Sequence, residues 1–337
     1  MKKLIVILCL ITFTVAFKSI NDELFYVPKN FPQPVYDFTN NTLSKEKIEL
    51  GKTLFYDPIL SRDNTISCSS CHLSYTAFTH TDHDLSHGIE NRIGTRNAPS
   101  LANLAWSKNY MWDGAVHHLD MQALAPISNH DEMDETLTNV VSKLQQSKKY
   151  RKLFYNAFND SLITGEHTLK AISQFMLTLI SANSKYDKVM RKEVGFSFNE
   201  YEATGYELFK TNCASCHKEP LFTNNEFENN GLEPDKFLND GGRIKITQNI
   251  EDSLKFKVPS LRNVELSYPY MHDGRYKNLQ MVLFHYTESV YQSPTLSHQL
   301  KNKMILSEND KINIIAFLKT LTDEEFLQNK KFQPNQF

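Results

Sequence analysis

LGKTLFYDPILSRDNTISCSSCH (residues 50–72) and TGYELFKTNCASCH (residues 204–217) are the stretches that decide the architecture of this chain. Each carries a glycine, a Leu-Phe pair and then CxxCH. A second matched pair follows. Pro99-Ser100-Leu101 precedes Asn103 and then Tyr110-Met111-Trp112-Asp113-Gly114; Pro259-Ser260-Leu261 precedes Asn263 and then Tyr270-Met271-His272-Asp273-Gly274. The aspartate follows the proline by 14 residues in both copies. Matched order and matched spacing predict an internal duplication and hence two domains of similar construction. Their expected extents are residues 40–183 and 198–325, joined by the more polar run 183–197.

The secondary-structure signals are mostly helical. TLKAISQFMLTLISA (residues 168–182) has an apolar helical period and should close the first domain. Ser44 stands before a charged and apolar run, and Ser307-Glu308-Asn309-Asp310 forms a capping box before KINIIAFLKTL. Runs of strand-type alternation are scarce. The fold class is therefore expected to be mainly α, with long loops of the kind that wrap a cofactor.

Composition bounds the function. With 40 % hydrophobic and 23 % charged residues, the 337-residue chain should pack a core and not remain disordered. A net charge of −2 gives no electrostatic reason to expect a nucleic acid partner. Lys2 and Lys3 followed by an apolar run through Phe17 read as a secretion signal over residues 1–17. The run is too short for a membrane span, which needs roughly 20 residues. Thr14 and Ala16 are the small residues a cleavage site needs. The chain is thus expected to be exported to the periplasm. A lipid anchor on Cys9 is not expected, because Leu8 stands where lipoproteins carry a small residue.

Five cysteines are present: Cys9 in the signal, and two pairs, Cys68/Cys71 and Cys213/Cys216. In CxxCH the two thiols project from one face of a helical turn and can add to the vinyl groups of one haem, while the adjacent histidine reaches the iron. Cys68, Cys71 and His72 are expected to hold one covalently bound haem c, and Cys213, Cys216 and His217 a second. A zinc ribbon spaces its pairs about 15–20 residues apart, far closer than these two. A thiol–disulfide site would need a βαβ context that is absent. The fold class then becomes mainly α with two cytochrome c-like haem domains related by internal duplication.

With LFYDPILS, GTRNAPSLAN, MWDGAVHHLDMQALAPI, DEM, FKVPSLRNVELSYPYMHDG and the terminal IIAFLKTLT all in place, the chain resembles the bacterial di-haem cytochrome c peroxidases and their MauG-type relatives. The resemblance runs over about residues 50–321. It implies an N-terminal haem that meets hydrogen peroxide and a C-terminal haem that passes electrons inward. It implies that Glu132 of the DEM motif is the catalytic acid/base; without it, the neighbours Asp131, Asp134 and Glu135 would read as a solvated acidic loop. It makes Gln122 a lining residue of the same pocket and Trp112 an electron relay between haems, a role compatible with a core aromatic. His272 holds the repeat position of Trp112. The family's calcium site falls on Asn97, Ser267 and Pro269.

Two positions depart from the peroxidase pattern. Where a displaceable histidine caps the N-terminal haem, this chain has Ile89, which cannot ligate; His87 is the nearest candidate, with His80 and His83 close by. Where peroxidases place a methionine on the C-terminal haem, this chain has Tyr286, as MauG-type relatives do, with His285 and Met281 as alternatives. The activity implied is reduction of hydrogen peroxide with electrons from a cytochrome c or a cupredoxin. The alternatives are a MauG-like oxidase acting on a partner protein, or a non-enzymatic electron-transfer cytochrome. The family's habit of pairing makes a homodimer a candidate assembly.

Overall fold

The computed structural model describes residues 24–334. The secretion signal and Cys9 lie outside the described residues. In the N-terminal half, α1 (Lys45–Tyr56), α2 (Cys68–Cys71), α3 (Leu119–Gln122), α4 (Leu124–Ser128) and α5 (Gly165–Leu177) position the site. After α6 (Lys185–Met190) come α7 (Glu200–Asn212), β1 (Phe227–Glu228), β2 (Phe256–Lys257), α8 (Leu279–Glu288) and α9 (Glu308–Lys319) of the C-terminal half. Among the described residues the only sheet is the antiparallel pair β1–β2, so the mainly α expectation holds. No described helix is long and apolar enough to cross a membrane.

Each half is built on one helix crossing. Ser44 caps α1 by accepting from Lys47 N–H, and the chain then crosses α5 at Gly51. Asn199 and Glu202 box the start of α7, which crosses α9 at Gly205. A Cβ at Gly51 would overlap the Ala171 carbonyl, and one at Gly205 the Asn313 carbonyl. Glycine is required there because two helix backbones touch. An aromatic trio seals each crossing: Phe55, Phe78 and Phe175 in one half, Phe209, Phe222 and Phe317 in the other.

Two expectations change. The helix read over residues 168–182 starts earlier, capped by Thr164, and stops at Leu177. Beyond that point its backbone donors are taken by distant side chains. Ser181 N–H donates to Asn103 Oδ1 at 2.9 Å, and the Ala182 and Asn183 N–H groups donate to Asp323 Oδ2 at 2.8 Å each. The polar run 183–197 carries α6, boxed by Ser184 and Asp187. Asp187 is fully buried and receives both arms of the buried Arg262 guanidinium at 2.8 Å. Burial alone would raise this carboxyl, but Arg262 holds it below the ordinary carboxylate range. The connection is therefore docked on the C-terminal half.

The halves exchange backbone hydrogen bonds reciprocally. Asn97 N–H donates to the His272 carbonyl, and Lys257 N–H donates to the Trp112 carbonyl, both at 2.7 Å. In each copy the donor lies two residues before Pro-Ser-Leu, and the acceptor is the aromatic residue of the other copy's Met-x-Asp-Gly.

Candidate functional site

The first CxxCH forms α2, a single turn whose start is boxed by Ser67 and Ser70. His72 follows it. Its Nδ1 lies 2.7 Å from the Phe78 carbonyl, so the Nδ1–H tautomer donates there and leaves the Nε2 lone pair free. That carbonyl is aimed by left-handed turns at Ala77 and Phe78. In the second half His217 Nδ1 meets two carbonyls, Phe222 at 3.1 Å and Pro259 at 3.2 Å. Burial lowers both imidazoles, His72 to about 4, so each is neutral and able to ligate. Cys68, Cys71, Cys213 and Cys216 form no disulfide. Burial pushes Cys68 and Cys213 up to about 12 and Cys71 to about 11, and raises Cys216 as well.

A cavity of about 310 Å³ is lined by Cys213, Cys216, His217, Tyr286 and the apolar wall of Leu261 and Leu283. It extends into the other half as far as Trp112 and Gln122. Two pairs of unlinked thiols, each with a neutral histidine whose outer nitrogen is free, fit two covalently attached haem groups. Half-buried thiols with pKa values raised this far are poor nucleophiles.

Glu132 comes to the first CxxCH. Its charge raises the pKa of both Cys71 and Cys68, and its backbone carbonyl accepts from Ile89 N–H at 2.8 Å. The Gly88 backbone packs directly on residues 131 and 132. Two of the neighbouring acids are paired, Asp134 with Arg62 and Arg92 and Glu135 with Lys143; beyond the effect of burial, Asp131 adds a like charge that raises the Glu132 pKa. Glu132 has no cation beside it among the described residues; burial raises its pKa, opposed by Asn129 Nδ2 donating to Oε1 at 2.8 Å. Its side chain is half-buried and held by Asn129.

The remaining expected residues fall in two groups. Gln122, Trp112, Asn97, Ser267, Pro269 and Tyr286 line the shared cavity. Gln122 Nε2 meets Met111 Sδ at 3.8 Å, and Glu132 is not among the cavity's lining residues. Trp112 Nε1–H donates to the Asn97 carbonyl at 2.8 Å, and Asn97 Nδ2 donates to the Asp84 carbonyl at 3.0 Å. His272 stacks on Phe256 at 3.7 Å and is neutral, lowered by burial to about 4. Tyr286 stands beside the second CxxC; its phenol is pushed to about 12 by burial and by both thiols, against a hydrogen bond with Asn230.

The alternatives to Tyr286 are turned away. His285 engages the Asn230 carbonyl through Nε2 at 3.0 Å and Tyr276 Oη through Nδ1 at 3.4 Å. Met281 is solvent-exposed. His87 lies tilted against His83 at 4.1 Å, and His83 stacks on His80 at 5.2 Å. The His87 carbonyl, and not its ring, is what meets Cys71. Ile89 is fully buried. Sequence reasoning assigned no role to Asn230 or Lys257, which also line the cavity; Lys257 sat unremarked inside the quoted FKVPSLRN.

Comparison with known proteins agrees with this geometry. The family model for di-haem cytochrome c peroxidase matches residues 45–195, and that for cytochrome c matches residues 202–322. The chain is 34 % identical over 308 residues to the methylamine utilization protein MauG of Methylorubrum extorquens, covering 88 % of this chain and 83 % of that one. It is also 34 % identical over 281 residues to the cytochrome c551 peroxidase of Nitrosomonas europaea, covering 82 % and 80 %. The crystal structure of a MauG-like protein associated with microbial copper homeostasis superposes with a TM-score of 0.82 at 32 % identity, over 91 % of this chain and 98 % of that one. With its paired CxxCH sites, its shared cavity and these relatives, the chain belongs to the di-haem cytochrome c peroxidase and MauG family.

Proposed function

We propose that this protein is a periplasmic peroxidase. One hydrogen peroxide, two protons and two electrons from a small redox protein, a cytochrome c or a cupredoxin, give two waters. The observation that carries the reading is Glu132, a half-buried carboxyl without a cation beside it among the described residues, set against Cys68 and Cys71 while Asp134 and Glu135 are paired. Bound haem supplies the iron that holds peroxide at the first site and the redox centres that carry the two electrons. The Glu132 carboxylate accepts the proton of the inner peroxide oxygen and returns it to the outer one, which leaves as water. His72 and His217 would hold the iron of each haem, oriented by their Nδ1 hydrogen bonds. Trp112 bridges the halves as the electron relay, with Gln122 lining the same space. A calcium ion held by Asn97, Ser267 and Pro269 would fix the two loops that meet beside Trp112; their shared position on the cavity wall supports this.

Ile89 at the capping position supports an N-terminal site open in the oxidised protein, with His87 the candidate ligand otherwise. The test is peroxide-dependent oxidation of reduced cytochrome c by the holoprotein, started from the all-ferric and from the pre-reduced form. Turnover from both forms is expected. Turnover only after pre-reduction would assign a displaceable ligand. Absence of turnover from either form, with both haems attached, would overturn the peroxidase reading. Tyr286 on the cavity wall supports a second reading, a MauG-like oxidase that withdraws electrons from a partner protein; it predicts side-chain oxidation of that partner under peroxide.

A further inference from the structure

The cations at the junction of the halves differ in one respect. Arg96 pairs with Asp113 and Asp240, Arg262 with Asp187, and Arg243 approaches Asp252. Lys257 has no carboxylate partner among the described residues. Its Nζ donates to the Asn109 carbonyl at 2.8 Å and lies 3.4 Å from Ser107 Oγ and 5.9 Å from the centre of the Tyr110 ring. Its side chain lines the cavity that holds Cys213, Cys216 and His217. Desolvation alone pulls its ammonium down to about 8. An ammonium withdrawn from water without an anion is costly, and proteins rarely keep one.

The backbone fixes where this cation points. Lys257 ends β2, and its N–H is tied to the Trp112 carbonyl at 2.7 Å. Two residues later the Pro259 carbonyl receives His217 Nδ1. Lys257 thus lies two residues before one of the carbonyls that orient the C-terminal histidine, with its ammonium turned to the opposite half. The first copy has Asn97 at the same position, so this charge is not imposed by the repeat.

We infer that Lys257 is the counter-ion of a haem propionate in the C-terminal cavity, and that it sets the potential of that haem as a positioning and electrostatic residue. The cavity is otherwise walled largely by apolar side chains, and a haem c brings two carboxylates into it. A fixed positive charge beside the porphyrin favours the reduced form, which carries one positive charge less. Its removal must lower the midpoint potential of that haem.

The inference rests on haem occupying the cavity, so haem content is measured first, by the absorbance of the alkaline pyridine adduct. A content below two per chain would refute the di-haem reading and leave the present one without its ligand. The holoprotein and its Lys257→Met, Lys257→Gln and Lys257→Arg variants are then titrated spectropotentiometrically. Lys257→Met should lower the reduction equilibrium constant of the C-terminal haem about tenfold, or about 59 mV for one electron. The N-terminal haem should move less. Lys257→Gln keeps a donor to the Asn109 carbonyl and drops the charge, so it should fall with Lys257→Met. Lys257→Arg should stay with the parent. A C-terminal potential unchanged in Lys257→Gln, with both haems attached, would overturn the inference and make Lys257 a bridge to Asn109. If Lys257→Met fails to retain haem, the Gln and Arg pair decides alone.

Discussion

The two CxxCH sites share a scaffold and diverge 27 residues after each Pro-Ser-Leu proline. There the second half has Tyr286 on the cavity wall, and the first has Pro126. In the second half the chain continues as the ten-residue α8. In the first, α3 ends at Gln122 and the chain restarts as the short α4, which contains Pro126. Proline has no N–H to extend a helix. The Pro126 carbonyl instead accepts from Met133 N–H at 3.2 Å, which folds the chain back and delivers Glu132 to the first site. One half thus carries a side chain able to ligate iron, and the other a side chain able to move protons. The shared frame would position the cofactors, and the divergence after the Pro-Ser-Leu segment sets the two sites apart.

The largest effect should come from deleting the feature that one half has and the other lacks. Glu132→Gln should cut peroxide turnover roughly 10²–10⁴-fold, the usual contribution of a general acid–base group, with haem content unchanged. Because burial raises the Glu132 pKa, the base form is lost as pH falls through a value above the ordinary glutamate value of about 4.3. The parent should show an acidic limb there, and Glu132→Gln should not. Equal turnover in the two proteins would erase the functional difference between the halves.

Arg262→Met tests the docking that only the second half provides. Leaving Asp187 buried without its partner should cost about 3–5 kcal/mol in urea unfolding. The sign of the pH effect follows from the lowered Asp187 pKa. Its contribution is present above the ordinary aspartate value of about 3.9 and disappears as pH falls through the lower folded one. The stability of the variant should lack that part of the acid dependence.

Tyr286→Met sharpens the comparison at the other site. A thioether in place of a phenol should raise the C-terminal potential by on the order of 100 mV, within the roughly 0.8 V that axial ligands span. An unmoved potential would show that Tyr286 is wall and not ligand. The smallest effect is expected from Arg62→Ala. Arg62 is half-exposed and Asp134 keeps Arg92, so the loss should stay under about 1 kcal/mol.

Much of this frame was legible in the residues. Ser44 and Ser307 announced their helices through local capping, and the two CxxCH units announced their cofactor. What was missed depends on distance along the chain. Nothing in residues 168–182 shows that Asn103 and Asp323 will take their backbone donors, and so the helix was read too long. Polarity marked 183–197 as a linker, but Arg262, 75 residues away, turns Asp187 into an anchor. Weighing Tyr286 against His285 needs three dimensions, because only there do both His285 nitrogens find partners. Lys257 was invisible for the opposite reason: what distinguishes it is that no carboxylate pairs with it among the described residues.

The reciprocal bonds from Asn97 to His272 and from Lys257 to Trp112 bear on how electrons cross the molecule. Both are main-chain bonds of 2.7 Å, and each ties one copy of the repeat to the other. A slide or twist of one half against the other has to break both together. A change of rotamer at either site need break neither bond. The distance between two haems bound in these halves would then be tied to the backbone and not to the rotamers of either site.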